Sequence, residues 1–74
     1  MKKSAVENFI ELVGISKELF GEIWHKCHKL SYATKHFYSA YSIYLENLER
    51  DGILRSWQAK KIYDFTCDLV LSFH

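Results

Sequence analysis

Apolar or small residues recur in alternating steps of four and three through the middle of the chain. The positions are Ile23, Cys27, Leu30, Thr34, Phe37, Tyr41, Tyr44 and Leu48. A period of about 3.5 residues is typical of a helix that buries one seam against partner helices. No Gly or Pro interrupts the stretch between Gly21 and Gly52. The pattern therefore predicts a protein built from packed helices.

Two helix arrangements are open for this middle region. Ser31 could cap a new helix, but no Glu or Gln stands three residues later, as a capping box requires. The apolar seam also keeps its phase past Ser31, which a break would usually disturb. We therefore expect one long helix over residues 17–51, with any kink near Ser31, in preference to two shorter helices. So long a helix is unusual in a small domain.

Capping residues mark a short helix before this region. Ser4 with Glu7 three residues later fits a capping box, and Gly14 fits the left-handed residue that commonly ends a helix. Ser16 is a second N-cap candidate, at the start of the long helix. These signals predict a short N-terminal helix and a turn before the long one.

A second glycine, Gly52, ends the long helix in the same way. Ile53 and Leu54 are expected to fold back as a hydrophobic lock, and a last helix starts near Ser56. Its apolar face comprises Ile62, Phe65, Leu69, Val70 and Phe73. The predicted fold class is all-α: a small helical bundle in which a long central helix is flanked by a short N-terminal helix and a C-terminal helix. Residues 1–74 are expected to form a single helical domain.

Aromatic residues are numerous for so short a chain. Its 74 residues include two Trp, five Tyr and five Phe. A domain of this size has only a small interior, so some rings are expected at a subunit or partner interface, where Tyr and Trp are favoured.

Charge is segregated along the chain, although the net charge is only +1. No Asp or Glu lies between Glu22 and Glu46. The Lys and His residues in this acid-free stretch are Lys26, Lys29, Lys35, His25, His28 and His36. The total charge gives no general attraction to nucleic acid or membranes, but the local cations suit an acidic partner surface.

The back of the predicted long helix is the candidate binding surface. At about 100° per residue, Tyr32, His36 and Ile43 gather opposite the seam, and Tyr38 stands on a flank. A helix that is apolar on one face and aromatic on the back is rarely a simple surface helix. Either other helices of the chain wrap this back face or a partner covers it, and we favour the partner. The candidate partner-binding residues are Tyr32, Tyr38, Ile43, His36, Lys29 and Lys35.

Enzymatic and metal chemistry find little support in the sequence. His25 and His28 share a helix face, but Cys27 points away from them, and a structural zinc site needs four ligands. No nucleophile elbow, Gly-rich phosphate loop or paired carboxylates in an obvious cleft are present. We expect no enzyme activity, no metal site and no cofactor.

The two cysteines, Cys27 and Cys67, form neither a disulfide framework nor a CxxC motif. They are expected to pack as small apolar residues. Glu7 and Glu11 interrupt the run that a signal peptide would need, and no apolar stretch is long enough to cross a membrane. We therefore expect a soluble, cytoplasmic protein with no membrane partner.

One short segment resembles a known family. Leu30-Ser31 followed by Phe37-Tyr38-Ser39-Ala40 resembles a segment of the small haemolysin-expression-modulating regulators of enterobacteria. The resemblance implies an all-helical regulator that acts by binding a nucleoid-associated DNA-binding protein. The Asp-His-Arg that follows in that family is replaced here by Tyr41-Ser42-Ile43, and the resemblance does not extend to the rest of the chain.

The function predicted from the sequence is therefore non-enzymatic protein binding. The chain is expected to act as a small regulator or inhibitor through an aromatic and basic helix face, and a homodimer is one form this binding could take. The alternative is a small nucleic-acid-binding regulatory protein that uses the acid-free Lys/His segment 23–45. The absence of Arg between Ile23 and Leu45 makes this alternative the second choice, because Arg supplies most bidentate base contacts.

Overall fold

The computed structural model describes residues 3–73, which form four α-helices and no strands. In chain order these are α1 (Ala5–Val13), α2 (Lys17–Ala33), α3 (Phe37–Arg50) and α4 (Ser56–Leu71). α4 contacts each of the other three helices, and α2 also packs against α3. The prediction of a small all-α bundle is confirmed.

The long central helix predicted over residues 17–51 is wrong, because α2 and α3 are separate helices. Thr34 has extended backbone, with φ −144° and ψ 147°. Its hydroxyl accepts a hydrogen bond from the backbone N–H of His36 at 3.0 Å. Such a local side-chain turn competes with helical hydrogen bonding. Ser31 lies inside α2, where its hydroxyl donates to the carbonyl of His28 at 2.6 Å, so the break is not at the expected position.

Side-chain caps begin the first two helices as predicted. The hydroxyl of Ser4 accepts from the backbone N–H of Glu7 at 3.1 Å, and that of Ser16 accepts from the N–H of Leu19 at 3.0 Å. Each bond satisfies a donor that has no partner within its own helix. These caps fix where the chain enters α1 and α2.

Glycines end α1 and α3, also as predicted. Gly14 has φ 78° and Gly52 has φ 76°, the left-handed conformation that side chains with a Cβ disfavour. After α3 the N–H of Ile53 donates to the carbonyl of Leu48 at 2.9 Å. Of the expected hydrophobic lock, Leu54 is buried, whereas Ile53 is half-exposed.

The core lies where α2, α3 and α4 meet. Its buried residues are Val13, Ile23, Cys27, Tyr41, Leu45, Leu54, Ala59, Ile62, Cys67 and Val70. The predicted seam turns inward: Ile23, Cys27 and Tyr41 are fully buried, and its other apolar members pack against them. Leu45, which the seam did not include, is more deeply buried than Tyr44.

A hydrogen bond between α3 and α4 lies inside this core. The hydroxyl oxygens of Tyr41 and Thr66 are 2.6 Å apart, and both residues are fully buried. Thr66 donates its own proton to the carbonyl of Ile62 at 2.6 Å, so Tyr41 is the donor to Thr66. Every polar atom of this pair is thereby satisfied, as burial demands.

Candidate protein-binding surface

The side of α2 that faces away from the core carries a regular row of exposed residues. These residues, called the outer stripe below, are Glu18, Gly21, His25, His28 and Tyr32. They repeat in steps of three and four, so at about 100° per residue they follow one line along the helix. The opposite side of α2 buries Phe20, Ile23 and Cys27. The amphipathic pattern of α2 therefore both anchors the helix and exposes the outer stripe.

An aromatic row leads from Trp24, beside the outer stripe, to His28 and Tyr32 within it. The ring centroids of Trp24 and His28 are 5.9 Å apart, and those of His28 and Tyr32 are 5.0 Å apart. Phe73, just beyond the end of α4, lies 6.1 Å from Trp24. Tyr32 is 66% exposed and Phe73 is 65% exposed. Large rings held against one another and left open to solvent are typical of interaction sites.

Two surface clefts adjoin Trp24 and Phe73, which line both of them. One, of about 190 Å³, is lined by Val6, Phe20, Trp24, Leu69 and Phe73. The other, of about 420 Å³, is lined by Gly21, Trp24, His25, His28 and Phe73. The first has an apolar lining and the second brings imidazoles to its rim, so the surface offers apolar contact beside hydrogen-bonding groups.

Gly21 lies in the body of α2 and has no packing reason to be glycine. A Cβ built there would meet no atom within 4 Å outside its own helix, and its backbone is not left-handed. Glycine in a helix costs about 1 kcal/mol relative to alanine. No contact of Gly21 within residues 3–73 offsets this loss of helix stability. The missing side chain leaves a notch in the surface of α2.

After Lys17 at its first position, α2 carries acids and then bases. Glu18 and Glu22 lie in its N-terminal half, whereas Lys26 and Lys29 lie in its C-terminal half. Lys26 places its ammonium 5.8 Å from the centre of the Tyr44 ring on α3. Lys29, like both glutamates, is exposed. The outer face of α2 therefore presents acids at one end and a base at the other.

The six residues predicted from the sequence are all exposed, but they do not share one face. Tyr32 and Lys29 lie on α2, and Lys35 and His36 lie in the turn before α3. Tyr38 and Ile43 lie on α3, at 50% and 57% exposure.

The expected common face of Tyr32, His36 and Ile43 is wrong, since it required a continuous helix through Thr34. Within α3, Tyr38 and Ile43 point about 140° apart.

Sequence reasoning did not assign Trp24, Phe73 or Gly21 to the surface. The sequence places Phe73 on the apolar face of the last helix, yet Phe73 is exposed, and Trp24 is only partly buried. The spacing of Trp24, His28 and Tyr32 at four-residue steps was the available signal, because residues four apart on a helix are neighbours.

The thiols are poorly placed for chemistry, since Cys27 and Cys67 are both buried. Burial raises the pKa of Cys67 to about 11, and the neighbouring Cys27 contributes to the shift. Burial likewise raises the pKa of Cys27. The thiolate is the reactive form, so both cysteines behave as small apolar residues at neutral pH, as expected.

Within the part of the chain that the structure describes, no three His, Cys, Asp or Glu side chains are grouped so that they could hold a metal ion. Among the helices of that same part, none has the length and apolar character needed to cross a bilayer.

Comparison of the chain with protein-family models, curated proteins and solved structures gives no match in any of the three. The short resemblance at Leu30-Ser31 and residues 37–40 therefore assigns no family.

Proposed function

We propose that this chain is a non-enzymatic protein-binding module, acting as a small regulator or inhibitor, and that the outer face of α2 is its docking surface. The observation that carries the proposal is the aromatic row of Trp24, His28 and Tyr32, with Phe73 against Trp24; Tyr32 and Phe73 are exposed and Trp24 is partly exposed. On the same helix, Gly21 has no side chain, so a partner can approach the α2 backbone closely at that point. Aromatic rings of this kind supply much of the binding energy in protein interfaces.

A partner suited to this face offers apolar groups to Trp24 and acidic groups to the lysines. Trp24 and the apolar cleft beside it would take the apolar groups. Lys29, with Lys35 and His36 in the following turn, would face the acidic groups. Such complementary charges speed association and fix the orientation of the partners more than they raise affinity.

The charges of α2 favour a protein over nucleic acid. Glu18 and Glu22 are exposed on the same helix as the lysines, and they would repel phosphates that approached along it. A partner protein can place lysine or arginine side chains opposite these two glutamates, whereas a phosphate backbone offers only negative charge.

The test is site-specific photo-crosslinking in the cells that produce the protein. A photoreactive benzoylphenylalanine replaces His25 on the outer stripe, and the same group replaces Lys61 on the exposed side of α4 as the matched control. We expect protein adducts from position 25 that are absent from position 61. The partner is then purified, and its affinity is measured for the wild type and for Tyr32→Ala, which should bind it at least about tenfold more weakly.

Three results would overturn the proposal. One is a set of adducts that is the same at positions 25 and 61, and another is an unchanged affinity of Tyr32→Ala for the purified partner. The third is adducts that nuclease removes, because these would favour the nucleic-acid alternative. In that case binding to a DNA duplex should weaken steeply as salt is raised.

A further inference from the structure

The outer stripe of α2 is complementary to itself when reversed. Read from one end it runs acid, glycine, imidazole, imidazole, aromatic: Glu18, Gly21, His25, His28 and Tyr32. Gly21 and Tyr32, the smallest residue of the stripe and its largest, lie equally far from a point between residues 26 and 27. A surface that matches its own reverse is what a two-fold interface between identical chains requires.

We propose that the occupant of this surface is a second copy of the chain, with the two α2 helices packed antiparallel. The inference rests on the proposed function, because it names a partner for the same face. A two-fold axis between residues 26 and 27 sets Gly21 opposite Tyr32 of the second copy. The same axis sets His25 opposite His28. Each Tyr32 ring then fills the notch at Gly21 of the other chain, as a knob fills a hole between packed helices.

One pair of opposite charges lies close to the same register, within two residues along the helix. Glu22 and Lys29 each directly follow a stripe residue, so they lie on the same flank of α2. Because like flanks meet in an antiparallel pair, Glu22 of each chain comes beside Lys29 of the other. Both residues are exposed in the single chain.

A parallel pair lacks this match. It would set each stripe residue opposite its own copy, so that two Glu18 carboxylates would meet and Tyr32 would face Tyr32 instead of the notch. Lys29 would gain no acidic neighbour across the interface. The order of charges along α2 therefore selects the antiparallel arrangement.

The glycine is the feature that a foreign partner explains less well. Gly21 has open space around its Cβ position and weakens its own helix. In the antiparallel pair it has a defined role, because the ring of Tyr32 needs close approach to the α2 backbone. Gly21 thus lowers the stability of its own helix, and the contact with Tyr32 of the second copy offsets this loss in the dimer.

The first experiment measures molar mass by sedimentation over a wide concentration range at low salt. We expect the wild type to pass from monomer to dimer as concentration rises. Glu22→Lys alone and Lys29→Glu alone should each weaken the dimer at least about tenfold, because two attractive contacts per dimer become repulsive. An equimolar mixture of these two variants should dimerise again. In the mixed pair one chain carries lysine at both positions and the other carries glutamate at both, so each contact is attractive.

The controls separate interface effects from folding effects. Lys61→Glu on α4 changes the net charge as much as Lys29→Glu does, and it should leave the dimer intact. Gly21→Leu fills the notch and should abolish the dimer, while circular dichroism shows that helix content is retained. In high salt the rescue by mixing should weaken, as expected for exposed charges.

Two outcomes overturn the antiparallel pair. Wild type that stays monomeric at every concentration excludes a second copy as the occupant. A dimer that forms but is indifferent to Gly21→Leu, or that is not restored by mixing the two charge variants, places the interface elsewhere. Neither outcome decides the proposed function, because protein adducts from position 25 other than the chain itself would still assign a foreign partner to the same face.

Discussion

Removing the Tyr41 hydroxyl should destabilise the fold less than removing the Thr66 hydroxyl, although the two form one buried hydrogen bond. Tyr41→Phe deletes the donor, but Thr66 keeps its bond to the carbonyl of Ile62. Thr66→Val deletes the acceptor and leaves the Tyr41 proton in the core without a strong partner. The thiol of Cys27 is in reach of both hydroxyls, but sulfur is a weak acceptor.

The magnitudes follow from this asymmetry. Loss of an ordinary hydrogen bond lowers the free energy of unfolding by about 0.5–1.5 kcal/mol, which we assign to Tyr41→Phe. Leaving a buried polar group unsatisfied costs about 1–3 kcal/mol, which we assign to Thr66→Val. The double variant leaves no orphaned donor, so it should be less unstable than the sum of the two single changes.

Urea unfolding followed by circular dichroism measures these differences, and Tyr38→Phe on the exposed side of α3 is the control. The control should lie within about 0.5 kcal/mol of the wild type. Equal losses for Tyr41→Phe and Thr66→Val, or strict additivity in the double variant, would refute the assignment of Tyr41 as donor and Thr66 as its necessary acceptor.

Three other measurements probe the fold and the surface. Burial raises the pKa values of Tyr41 and Cys67, so at alkaline pH the folded state keeps protons that the unfolded state loses. The free energy of unfolding should therefore be constant below the unfolded-state pKa values and fall as pH rises above them, by up to about 1.4 kcal/mol per pH unit per group. Urea titrations at a series of pH values measure this fall, and Tyr41→Phe should make it shallower. Gly21→Ala should raise the free energy of unfolding of the monomer by about 1 kcal/mol; a loss of stability in a thermal melt would show a hidden steric role. Tyr38→Ala combined with Ile43→Ala should keep full helicity, because both side chains are half-exposed. The same double variant should dimerise normally if α2 is the interface, and a lost dimer in sedimentation would instead place α3 there.

Local signals in the sequence were sufficient where a few neighbouring residues decide the structure. Ser4, Ser16, Gly14 and Gly52 mark helix ends correctly, because a cap depends on a hydrogen bond or a backbone angle within one turn. The inward seam through Ile23, Cys27 and Tyr41 was readable for the same kind of reason, since helical periodicity is local.

The candidate surface was only partly readable. Tyr32 and Lys29 were assigned to a binding face from the excess of aromatic residues and the acid-free stretch, and the structure leaves both exposed on α2. The sequence places Phe73 on an inward face and does not assign Trp24 to the surface, because periodicity shows which residues share a face and not how far a neighbouring helix covers it. The contact between these two rings joins α2 to the end of α4, which no local pattern encodes.

The sequence by itself determined the all-α class, the caps and the central core residues, whereas the tertiary structure decided how the middle of the chain is divided. The seam keeps its phase across Thr34 because α2 and α3 bury their apolar sides in the same core, so periodicity could not distinguish one long helix from two. The extended backbone of Thr34 and its bond to the His36 N–H end α2. That turn sends α3 back against α2 and α4, and the burial of Tyr41 and Leu45 gained there favours two packed helices over one exposed long one.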